Sequence, residues 1–104
     1  MNLNIRINPA PYEDTKLISV EVLTLFEVDG HKFFSHYDNN GKYVSDNRLK
    51  CSEYFSGLAV TYQAFLSEEE AIEATKKILI ERSANMDNYI EKAISQYGYA
   101  NKED

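Results

Sequence analysis

The hydrophobic pattern changes period once, at Ser67, and that switch limits the fold more than any other feature of the chain. Upstream, apolar residues recur mostly at every second position; downstream they recur at helical spacing. The stretch "FLSEEEAIEATKKIL" marks the boundary. Ser67 and Glu70 are spaced as a capping box: the serine oxygen accepts from the Glu70 N–H, and Glu70 reaches back to the N–H of Ser67. Glu68, Glu69 and Glu70 also place negative charge at the positive end of the helix dipole. Ile72, Thr75, Leu79, Arg82, Met86, Ile90, Ala93 and Tyr97 then follow as one stripe, which Ala71, Ile78, Tyr89 and Ile94 widen. Glu73 and Lys77 form an i,i+4 pair in the favourable order. Gly98 is a natural stop. The helical region is therefore 67–98, either one helix or two consecutive ones that bend near "SANMDN", with Asn85 as the second cap. Residues 99–104 read as a frayed tail.

Strands are confined to residues 2–65. "NLNIRIN" alternates, with Leu3, Ile5 and Ile7 on one face. The prolines of "PAPYED" break it, because proline lacks the N–H that a sheet ladder uses. "LISVEVLTLFEV", 17–28, is the strongest strand, with Ile18, Val20, Val22, Phe26 and Val28 on one face. Leu23 and Leu25 interrupt its polar side. Asp29-Gly30 predicts a tight hairpin into "HKFFSHY", and Asn40-Gly41 predicts a second turn into a short strand near 42–45. Residues 46–56 show no clear period. Leu58, Val60, Tyr62 and Ala64 alternate again. The fold class is α+β: an antiparallel β-sheet of four to five strands packed on one face by the C-terminal helix or helix pair. A chain of 104 residues suits one such domain, 1–104.

Composition narrows the function classes. Eleven Lys and Arg face seventeen Asp and Glu, for a net charge of −6. Proteins that hold nucleic acid by its phosphates need a basic face, so direct nucleic-acid binding is disfavoured and a basic protein partner is favoured. A lone Cys51 forms no intramolecular disulfide. The opening residues lack a signal-peptide pattern, and no apolar run is long enough to span a bilayer. The expectation is a cytoplasmic protein with no membrane partner.

The chemistry-bearing residues do not assemble into a set. His31 and His36 are five positions apart in a strand, which sends them to opposite faces, and both read as surface or strand-end residues. A zinc site would need more ligands. From Asp38, an EF-hand register puts Gly41 at position 4 and Leu49 at position 12, where glycine at 6 and glutamate at 12 are required. Cys51 stands near Arg48 and Lys50, which could lower its pKa, but catalysis also needs a base and an orienting group. A small buried hydrophobe is the plainer reading. The glutamates at 68–70 and 73 are explained by capping, so neither a cofactor nor a metal is expected, and the chain is read as a non-enzyme.

The strand-to-helix step in "FLSEEEAIEATKKIL" resembles, over about fifteen residues, the last such step of the arm-type DNA-binding domains of tyrosine recombinases. That resemblance implies basic strands entering a DNA groove, and this chain places Glu21, Glu27 and Asp38 there instead. The family is not assigned on it.

The remaining class is a small acidic binding protein that inhibits or modulates a macromolecular partner. A phage-type accessory or anti-defence protein acting on a nucleic-acid-handling complex has this profile. Its carboxylates would imitate phosphates: Glu68, Glu69, Glu70 and Glu73, with Asp38 and Asp46. Tyr37, Tyr43 and Tyr54 would add contact area at little entropic cost. The alternative is a self-associating assembly subunit, a homodimer whose twofold mate covers apolar surface left by the broad helix stripe and by Leu23 and Leu25 on the second sheet face.

Overall fold

A computed structural model of the chain describes residues 1–7, 15–37, 49–60, 65 and 67–103, with residues 83 and 84 described in backbone only. The expected strand near 42–45 and the Asn40-Gly41 turn lie outside these residues, as does the 61–64 part of the last expected strand. Five strands and a long helix follow one another as β1 (Asn2–Ile7), β2 (Lys16–Glu21), β3 (Thr24–Val28), β4 (His31–Tyr37), β5 (Leu49–Glu53) and α1 (Glu68–Tyr97). The class is α+β, as the change of period at Ser67 requires.

The strands form two antiparallel sheets, β1-β2 and β3-β4-β5, where one was expected. The cause is a switch inside the long alternating run. At Val22 the backbone N–H still bonds to Met1 O (2.9 Å), whereas the next N–H, that of Leu23, goes to Ser35 O (2.9 Å). Thr24 N–H then bonds to the Ser35 hydroxyl at 3.0 Å. One continuous run thus serves β1 on one side of the switch and β4 on the other. The β3-β4 turn is as expected: Asp29 and Gly30 both hold positive φ, 50° and 81°, which is the type I′ geometry.

β5 occupies the stretch in which no period could be found. It pairs with β4 through Phe33↔Glu53 to Tyr37↔Leu49. Of the strand expected after Gly57, the described residues show bridges Ser52↔Ala59 and Leu49↔Phe65, which meet the outer edge of β5.

β4 is the middle of three layers. Phe33 and Phe34 are adjacent, both fully buried, and they point to opposite faces because side chains alternate along a strand. Phe33 packs with Val60 and Leu79 under α1, next to a second group of Leu49, Cys51 and Ala71. Phe34 packs with Leu3, Ile5, Val20 and Tyr54 under the β1-β2 pair. The second face of the sheet is therefore covered by the chain's own hairpin. Among the described residues of that face, Leu25 stays 40% exposed.

α1 starts and stops where capping chemistry dictates. Ser67 holds extended φ/ψ (−134°, 153°) and its side chain accepts from Glu70 N–H at 3.2 Å. Gly98, at φ 86°, ends the helix, its N–H bonding to Ile94 O. The helix is broken at Arg82 (φ −135°, ψ 27°), one residue before the expected bend. Beyond Gly98 the expectation of a frayed tail is corrected: Ala100 and Asn101 are buried. Asn101 bonds to both Asn4 and Tyr54 backbone groups, which holds the tail against β1.

Candidate partner-binding surface

The acidic first turn of α1 divides into two environments. Glu68 turns inward: its Oε1 accepts from Thr24 Oγ1 at 2.5 Å and from Ser35 Oγ at 3.2 Å. Glu68 thus pins the start of α1 to β3 and β4. Glu69, Glu70 and Glu73 face solvent. Successive positions three and four apart lie on one side of a helix, about 5–6 Å from Cβ to Cβ, so these three carboxylates make a compact anionic patch. Glu73 meets Lys76 at 3.4 Å, one position short of the expected Lys77. An exposed pair of this kind is worth at most a few tenths of a kcal/mol, about 0.3–0.5, so it does not tie up the patch.

Of the other candidate residues, two are described. Tyr37, at the end of β4, is 39% exposed. Tyr54 is 6% exposed and sits in the core under the β1-β2 pair. Its hydroxyl donates to Lys102 O (3.4 Å), and the Lys32 ammonium lies 4.4 Å from its ring centroid. It offers little contact area to a partner. Asp38, Asp46 and Tyr43 lie outside the described residues.

The histidines part as parity requires. His31, first residue of β4, meets Asp87 of α1 at 2.6 Å. His36 points to the opposite face and is 1% exposed, which corrects its reading as a surface residue. Its Nδ1 lies 2.9 Å from Tyr37 O and its Nε2 2.8 Å from Ser52 Oγ. A carbonyl only accepts, so Nδ1 carries a proton; in the neutral ring Nε2 then accepts from the serine hydroxyl. Among the described residues, no three His, Cys, Asp or Glu side chains are grouped to hold a metal. None of the described helices is long and apolar enough to cross a membrane.

Cys51 is fully buried beneath α1. Burial pushes its thiol up to about 11, against a smaller opposing pull from a hydrogen bond with Thr75. A thiol held so far above neutrality is protonated and a poor nucleophile. Its folded pKa exceeds the ordinary 9.0, so between those values the unfolded chain holds fewer protons than the folded one. The associated stability is whole below pH 9 and is lost as pH rises toward 11. Two readouts check this: alkylation of Cys51 near neutral pH should be slow and limited by chain opening, and a Cys51→Ser variant should lose the alkaline fall in stability. Rapid, stoichiometric labelling of the folded protein would contradict it.

The structure adds two surface features. Ile80 and Tyr89 on α1 are 78% and 69% exposed, which corrects the expectation that Tyr89 widens the buried apolar stripe. Ile80 falls just off the apolar stripe, one residue past Leu79, so its spacing was the available signal. A groove of about 460 Å³ opens beside the break at Arg82, where Leu58, Val60, Ile78 and Met86 line it and Tyr89 stands at its side. The groove depends on the break and on residues 58–60 meeting α1, which no local pattern encodes.

No family model matches the chain, and no similar protein was found among curated proteins or solved structures.

Proposed function

We propose that the chain is a binding protein that inhibits or modulates a basic macromolecular partner, with Glu69, Glu70 and Glu73 presenting a phosphate-like array. The observation that supports this most is the sorting of the acidic turn: Glu68 is used inside the fold, and the other three carboxylates are left to solvent. Carboxylates packed on one helical turn attract cationic surfaces and accelerate encounter more than they add raw affinity. A partner that normally holds nucleic acid carries such a surface. The test is competition. Proteins retained from a cell extract on immobilised protein should be released by added single- or double-stranded DNA. Retention that is indifferent to polyanion would overturn the mimicry reading.

A second reading, self-association as an assembly subunit, is favoured by the exposure of Ile80 and Tyr89 on one helix. Under it, light scattering shows a mass that rises with concentration and falls back for Ile80→Glu. A strict monomer removes it.

A further inference from the structure

β1 has two edges, and the chain's own C-terminus fills the second. One edge pairs with β2 over the whole strand. On the other, Asn4 N–H is received by the Asn101 side-chain Oδ1 at 2.8 Å, and Asn4 O receives Asn101 Nδ2 at 2.9 Å. The carboxamide thus supplies the acceptor and the donor that a residue of a neighbouring strand would supply. The same Nδ2 donates to Tyr54 O at 2.9 Å. Ala100 N–H donates to Phe55 O at 2.7 Å, and Ala100 O accepts from Asn4 Nδ2 at 3.2 Å.

The acceptor is shaped as well as polar. The 53–57 turn is fixed by the buried Glu53, whose carboxylate accepts from the N–H groups of Phe55 (3.0 Å) and Ser56 (2.7 Å). Gly57 O takes the next outward donor of β1, Arg6 N–H, at 2.8 Å. A Cβ at Gly57 would stand 2.7 Å from the Ala100 methyl, so the turn is cut to admit a small residue there. Ala100 and Asn101, one small and one carboxamide, make these contacts, while Tyr99 packs on the Phe55 ring, Lys102 O accepts from Tyr54 and Glu103 meets Lys32. The arm joins the helix through Gly98, where a Cβ would meet nothing within 4 Å.

We infer that the outer edge of β1, with the 53–57 turn, is a peptide-acceptor site for a bent Ala-Asn segment, filled in the monomer by residues 99–103 and exchangeable for the same arm of a second copy. Among the described residues, the arm is the segment whose chemistry is seen to fit. Exchange is reciprocal, each copy giving and receiving one arm, and so closes as a twofold dimer. Tethering keeps the arm in its own acceptor at low concentration, since a short tether gives an effective concentration of order millimolar.

Lys32 Nζ and Glu103 Oε1, 2.5 Å apart, report which arm is docked. In an equal mixture of isotope-light and isotope-heavy protein, zero-length carbodiimide cross-linking should give heavy–light Lys32–Glu103 products. Their share should grow with concentration and fall at least severalfold in the Asn101→Ala variant. Only same-isotope products at the highest concentration reached, or heavy–light products untouched by Asn101→Ala, would overturn the exchange. A fluorescent peptide Gly-Tyr-Ala-Asn-Lys-Glu tests the acceptor separately. It should bind the folded, full-length Asn101→Ala chain saturably and the native chain at least about tenfold more weakly, because the native arm competes. Equal binding of a peptide with alanine in place of the asparagine, or no binding to the folded variant, would refute the site.

Discussion

Phe34→Ala lowers folding stability by about 3–5 kcal/mol in denaturant unfolding, the cost of removing a fully buried phenylalanine. Phe34 is the one side chain of β4 that plugs the core beneath β1-β2, touching the cluster of Leu3, Ile5, Val20 and Tyr54. Its loss therefore weakens the attachment of the hairpin more than that of the helix. Amide exchange should show β1 and β2 losing protection first, with Leu79 and its neighbours in α1 retaining theirs. Phe33→Ala costs a similar amount with the opposite distribution, since Phe33 packs on Val60 and Leu79. If both variants loosen the same layer, β4 is not the partition between two cores.

Gly57→Val is the second large effect, at about 3 kcal/mol or more. Two costs combine. At φ 72° a residue with a Cβ sits in the left-handed region, about 1–2 kcal/mol for a non-glycine residue. The added atoms also collide with the Ala100 methyl at 2.7 Å and the Arg6 nitrogen at 3.0 Å, and overpacking typically costs about 1–3 kcal/mol more. Gly30 supplies the control. It has a similar φ of 81° but open space around its Cβ, so Gly30→Val pays mainly the backbone cost. Denaturant midpoints should fall much further for Gly57→Val. Equal falls would mean that the turn and the C-terminal arm are not in close contact.

Local chemistry was readable and long-range docking was not. Ser67, Gly98, Asp29-Gly30 and the alternation of β1 each announce a structure through φ preference, capping or period, and the fold follows them. β5 was invisible because Ser52 and Glu53 are polar yet buried; Glu53 spends its carboxylate on the backbone of the next turn, so no apolar alternation results. The sheet switch at Val22–Leu23 was hidden because parity is preserved across it: Val20 and Phe26 both point inward, into different cores. Asn101 could not be read at all, since its meaning lies in Asn4, 97 positions away. On the candidate surface, sequence located the acidic turn but could not show that Glu68 faces Thr24 and Ser35, nor that Tyr54 belongs to the core.

The binding role proposed for the exposed carboxylates is tested most directly by charge reversal against a partner identified through polyanion-sensitive capture. Affinity is measured over a salt series for the native chain and for Glu69→Lys/Glu73→Lys. Both sites are exposed, so the fold should survive the change. The account predicts that native binding weakens steeply with salt, and that the variant binds more weakly with a shallower salt slope. Equal affinity and equal slope for the two proteins would contradict it.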